Sequence, residues 1–297
     1  MKVTLSKLFF LIGTVGLVAV HTMQLLFMTE TATGFFKPQY EYLRVYLGIF
    51  AVAVAVLMFF FGFVKNGAEK QRIKIGKPLA IFSIVCSVAF LTGAFLSSVS
   101  SLGTLSLIKL LTAMFTAIFL LMFGLSGLFG ISVSKIFTVL SLPYFIFSLV
   151  ECFIRDSGMS LISENSYEIL MLCATLMFFL YAAKFICGID REKNLRVLVP
   201  FGYIASMLCL TCTVSRYIII LLGKRSVLKV NAYPDFSIFV IGIFIAVFCF
   251  SVLKKERKNV FVPQSPAKDT NAADDTLKIP ETEELSNNDF FMHDDEE

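Results

Sequence analysis

The sequence predicts an all-α protein: a polytopic bundle of eight transmembrane helices with the N- and C-termini both cytoplasmic. Three observations carry this. Hydrophobic residues fill 57% of the 297 positions and mean hydropathy is +0.80, above the roughly 45–50% apolar share of soluble domains. The apolar residues gather into eight runs of about 20, the length a helix needs to cross a bilayer core. Basic residues collect in alternate connecting segments, the asymmetry that sets orientation.

The runs are Leu8–Met28, Val45–Val64, Pro78–Ser98, Leu105–Gly130, Ile136–Ile154, Tyr167–Cys187, Val197–Leu222 and Phe236–Leu253. Lys2 and Lys7 ahead of the first run resemble the start of a secretory signal. That run is longer than a usual signal core, and no A-x-A cleavage site follows. It is therefore expected to stay as an uncleaved first helix. The segment Thr29–Tyr42 holds Gly34 and Pro38 and is too short to fold alone. The next connection, KNGAEKQRIKIGK (65–77), is strongly basic and reads as a topological anchor beside anionic headgroups. Gly124, Gly127 and Gly130 near the end of the fourth run read as close helix packing. Pro143 should kink or break the fifth.

Orientation follows from counting Lys and Arg in short segments. With the N-terminus inside, inner segments carry 15 and outer segments 6, while Lys109, Lys184 and Arg216 lie within runs. Residues 1–253 form the predicted bundle, placed as a multi-pass protein in the cell membrane with the lipid bilayer as its surroundings. Residues 254–297 form a basic juxtamembrane segment, KKERK, followed by an acidic, proline-punctuated tail. Lys254 onward holds 12 acidic residues against 6 basic, and the part before it 10 against 20. Such a tail cannot bury enough apolar surface to fold by itself. Its Phe290-Phe291-Met292 triplet could dock a cytoplasmic protein partner, the alternative being a solvating appendage. Nucleic-acid binding is a poor reading, since the basic residues sit between apolar runs rather than on a domain of their own.

Seven Cys lie in or at the ends of apolar runs, where Cys behaves as a small apolar residue. Cys209 and Cys212 have CxxC spacing, but no second pair accompanies them. The chain lacks GxxxxGK[ST], HExxH, GxSxG and a Gly-rich dinucleotide fingerprint. No cofactor is implied, a His-based metal site is disfavoured by the presence of only two His, and a membrane-embedded enzyme is the least supported class.

What remains is the set of polar groups inside the runs. Arg216 lies deep in the seventh, on a stripe of small or weakly polar residues, Thr213, Cys209, Ser206 and Gly202. An ionisable group at that depth costs a few kcal/mol unless paired or wet, which makes it a site hypothesis by default. His21 and Gln24 lie in the outer part of the first run, Lys109 near the outer start of the fourth, Glu151 near the outer end of the fifth, and Glu168 at the outer start of the sixth. Lys184 lies near the cytoplasmic side and can snorkel there. Glu168 is 19 residues before Cys187, and Arg216 is 19 after Val197. At about 1.5 Å per residue both stand roughly 28 Å above the inner turn, so adjacent straight helices would set them level as an ion pair. Glu151 has Arg155 four residues on, the favourable order for a local helical pair. Two readings of Arg216, Glu168, His21, Gln24 and Glu151 stay open. They are either interfacial residues and an interhelical clamp, or an outward-facing polar pocket. Lys224, Arg225 and Lys229 would make the mouth of such a pocket basic, suiting a small anionic ligand or a lipid headgroup.

The stretch ISENSYEILMLCATLMFFLYAAKF (162–185), followed by VSRYIIILLG (214–223), resembles an uncharacterised family of multi-span membrane proteins of Gram-positive anaerobic bacteria. The family places proline before the arginine, where this chain has Ser215. The resemblance implies a membrane bundle and brings no activity. The leading functional expectation is a small-molecule or ion-handling membrane protein, permease-like or ligand-sensing. The alternative is a non-catalytic scaffold or accessory subunit that docks a partner through its tail. No internal repeat is visible, and a four-plus-four division would give parallel halves, unlike many secondary transporters.

Overall fold

An apolar run of about 20 residues folds as a helix wherever its surroundings offer the backbone no hydrogen-bond partner, because each segment must then satisfy its own N–H and C=O groups. The computed structural model describes residues 2–30, 37–62, 76–99, 104–130, 135–156, 163–224, 228 and 236–256. Among them the helices are α1 Lys2–Met23, α2 Glu41–Gly62, α3 Lys77–Val99, α4 Thr104–Phe129, α5 Lys135–Leu140, α6 Leu142–Asp156, α7 Ser163–Cys187, α8 Arg191–Leu221 and α9 Phe236–Glu256. A π-helical turn, Gln24–Met28, closes α1, and a 3-10 turn, Pro38–Tyr40, opens α2. Most of the basic connection at 65–77 and the acidic tail lie outside the described residues.

Six stretches are long and apolar enough to cross a membrane: Lys7–Met28, Lys77–Ser98, Ser106–Phe129, Lys135–Ile154, Tyr167–Cys187 and Lys193–Leu221. The apolar parts of α2 and α9, Val45–Leu57 and Phe236–Val252, are shorter among the described residues. The fifth run is two helices rather than one. Pro143 has no N–H for the Val139 carbonyl, and its ring crowds that turn. The chain breaks at Ser141, whose hydroxyl donates to the Thr138 carbonyl at 2.7 Å. Thr116 of α4 donates to the Ser141 carbonyl at 3.1 Å, tying the break to its neighbour. The helix of the seventh run, α8, starts at Arg191, six residues before that run, because a helix need not begin where hydropathy rises.

Helices α8, α7, α6, α4, α3 and α9 pack in that order around a closed ring, with α1 and α2 against the outer side of α8. Small residues permit the closest approaches. A Cβ on Gly124 would stand 2.7 Å from the Ala80 carbonyl oxygen, and Ser83 and Ser87 donate to the Leu120 and Ala117 carbonyls, so α3 and α4 lie backbone to backbone. Gly242 meets Cys209 in the same way, and Ser206 donates to the Gly242 carbonyl at 2.7 Å, joining α8 to α9. Close packing with such hydrogen bonds is the main adhesive between helices in lipid.

Rings fill the interior. Phe123 of α4 meets Phe244 and Phe248 of α9, Phe119 meets Phe179 of α7, and Phe145 of α6 stacks on Phe179 at 4.6 Å. Edge and stacked pairs each add about 0.5–1.5 kcal/mol beyond area burial, and together they close the middle of the ring. The outside stays greasy: Leu11, Ile49, Phe60, Val85, Phe95 and Leu107 are all exposed. An apolar surface of that extent marks contact with membrane or partner.

Candidate functional site

The turn between α7 and α8 sets the heights of the residues above it. Gly188 has φ +85°, its N–H bonds the Phe185 carbonyl, and the Ile189 N–H bonds the Lys184 carbonyl. This glycine-capped helix end leaves a three-residue reversal, Gly188–Asp190, so α7 and α8 run antiparallel as close neighbours. Thr175 meets Cys209 at 3.3 Å between them. Two helical turns further up each strand of the hairpin, Arg216 Nη2 meets Glu168 Oε2 at 3.0 Å. The side chains are 10% and 20% exposed. Low solvent access raises both the attraction and the cost of breaking it.

A second pair stands nearby. Lys109 Nζ of α4 lies 3.0 Å from Glu151 Oε2 of α6. The expected local partner of Glu151 was Arg155, whose side chain is outside the described residues. Lys109 reaches Glu151 because ring closure sets α4 beside α6, which sequence spacing alone does not reveal.

Both pairs line one cavity of about 40 Å³ at the end of the ring formed by the starts of α4, α7 and α9 and the ends of α6 and α8. Its wall also holds Tyr144, Ser148 and Cys152 of α6 and Cys212 and Thr213 of α8. Tyr144, Ser148, Glu151 and Cys152 follow one another at four, three and one residues, a polar stripe of which the sequence reading singles out Glu151 alone. Ser148 is 6% exposed, and its hydroxyl makes no hydrogen bond among the described residues. Thr175, Thr211 and Thr213 each donate to the carbonyl four residues back, as a hydroxyl within a helix ordinarily does. Ser148 does not.

His21 and Gln24 stand apart from this cavity. His21 Nδ1 is 3.4 Å from Gln24 Oε1, the imidazole packs on the Tyr167 ring at 4.6 Å, and Gln24 also bonds the Tyr167 side chain. Thr29 donates to the Gln24 carbonyl at 3.1 Å across the π-helical turn. So α1 meets α7 through a polar cluster one residue from Glu168, and neither His21 nor Gln24 lines the cavity. Of the three basic residues expected at the mouth, Lys224 is described and exposed, its Nζ 5.8 Å from the Phe27 ring centroid. Arg225 and Lys229 lie outside the described residues. Among the described residues no group of three His, Cys, Asp or Glu could hold a metal.

Fold and site together define a class: an all-helical apolar bundle, compatible with an integral membrane protein, with paired charges around a small cavity at one end. Compared with protein-family models, curated proteins and solved structures, the chain has no match.

Proposed function

We propose that the chain is a multi-pass protein of the cell membrane, crossing it eight times with both termini cytoplasmic. Its ion-paired cavity serves as an outward-facing site for a small molecule or ion. The single observation behind this reading is the convergence of two ion pairs from four helices on one cavity in an otherwise apolar bundle. Ionisable groups within a membrane face cavities and pathways because lipid cannot solvate them. A clamp between α7 and α8 needs one such pair. Two pairs from four helices, with water-sized space between them, suit a site.

Helix length supports the span count. α2 and α9 have 22 and 21 residues, about 32 Å each at 1.5 Å per residue, enough to cross a core of about 30 Å. The excess of basic residues in alternate segments supports this orientation. Cavity size limits the ligand. About 40 Å³ holds a few waters and falls well below the roughly 300–1,000 Å³ of sites for drug-sized molecules. The occupant is an ion or a molecule of a few heavy atoms.

The test is thermal unfolding of the full chain in detergent with chloride, acetate, ammonium and glycine added in turn, for wild type and Arg216→Gln. At least one solute is expected to raise the wild-type midpoint and to lose most of that effect in the variant. If none shifts wild type, or if every shift survives in Arg216→Gln, the site reading is wrong.

A further inference from the structure

Among the described residues that line the cavity the charges balance: two cations, Lys109 and Arg216, and two carboxylates, Glu151 and Glu168, with Lys109 at 3.0 Å from Glu151 and Arg216 at 3.0 Å from Glu168. That balance restricts what can enter. A lone anion would have to compete with a carboxylate for its cation and would leave the cavity net negative. A lone cation would leave it net positive. At the less exposed Glu168–Arg216 pair either imbalance is costly. A molecule carrying both charges avoids it, offering a carboxylate to a cation of one pair and an ammonium to a carboxylate of the other.

Resting on the small-ligand reading of this cavity, we propose that its ligand is a small zwitterion with one carboxylate and one ammonium, bound between the Lys109–Glu151 and Glu168–Arg216 pairs. Ser148 is the second, independent observation. It is nine-tenths buried, lines the same cavity, and its hydroxyl makes no hydrogen bond among the described residues. A buried hydroxyl without a partner is destabilising, which a ligand carboxylate accepting from it would offset. It stands three residues before Glu151 on α6, so it serves the same ligand as the ion pairs. The volume of about 40 Å³ keeps the ligand near the size of glycine.

The experiment compares glycine, acetate, methylammonium and an equimolar mixture of the last two, by thermal shift titration of the full chain in detergent. Joining two binding groups in one molecule makes the second contact intramolecular. Glycine is therefore expected to bind about tenfold or more tightly than either half, with the mixture giving no such gain. Ser148→Ala should weaken glycine several-fold while leaving the unliganded midpoint no lower than that of wild type, since it removes an unpartnered hydroxyl. Arg216→Gln should abolish the glycine shift, and Lys109→Met is the second variant if Arg216→Gln does not fold. If acetate alone matches glycine and is lost in Arg216→Gln, the zwitterion is overturned while an anion site at this cavity stands. If Ser148→Ala binds glycine as wild type does, the hydroxyl has no part in the site and the proposal fails. If none of the four shifts wild type, the zwitterion is overturned, while a shift by chloride or ammonium would still leave a small-ion site at this cavity.

Discussion

Arg216 is 8% exposed, and its meaning depends on Glu168. Removing one member of a buried pair strands the other charge, at a cost of about 3–5 kcal/mol, while replacing both with apolar residues is often near neutral. The second pair is wetter, with side chains 23% and 35% exposed, and such pairs contribute about 0–1 kcal/mol. Glu168→Gln should therefore lower the unfolding midpoint in detergent by about 5–10 °C, and Glu151→Gln by no more than about 3 °C. Equal drops would contradict this ordering. The Glu168–Arg216 contact could be read from the sequence because both residues belong to one short hairpin, where counting from the turn fixes height. The Lys109–Glu151 contact could not, because it joins elements from different hairpins and Arg155 offered a nearer partner. Ser148 is not legible for another reason: a serine in an apolar run usually bonds its own helix, and that this one does not depends on the local geometry of α6.

At the scale of elements, glycine position decides which helices can approach. An alanine at Gly242 would place its Cβ 2.8 Å from the Cys209 Cβ, whereas Gly16 has nothing within 4 Å. Gly242→Ala is expected to force α9 from α8 and cost about 1–3 kcal/mol. Gly16→Ala should be neutral or add up to about 1 kcal/mol through helix propensity. Unfolding midpoints of the two variants, side by side, check the packing account; a stable Gly242→Ala would refute the close approach. The glycines near the end of α4 divide in the same manner. Gly124 permits the contact with α3, as close packing requires, while Gly130 has φ +73° and ends its helix. Composition suggested packing for both. Pro143 was legible as a kink or break, but the tie from Thr116 to the Ser141 carbonyl was not, since it depends on which helix lies alongside.

For the whole molecule, helical class and apolar character were plain from hydropathy, while the ring order was not. That order comes from where small residues and rings find complements, and hydropathy carries no such information. Eight crossings predict that reporter enzymes fused after Gly67 and at the C-terminus both report the cytoplasmic side, and that one inserted after Gly34 reports the outside. A C-terminus on the outer side would remove one crossing and with it the proposed topology.

The central claim is that the Arg216–Glu168 pair forms part of a ligand site rather than a clamp alone. The most direct measurement is the glycine-induced midpoint shift of the double variant Arg216→Met/Glu168→Leu against wild type. The account predicts that the double variant unfolds within a few degrees of wild type without solute, since both charges leave together, and that it loses the glycine shift. A double variant that keeps wild-type stability and the full shift would contradict the account.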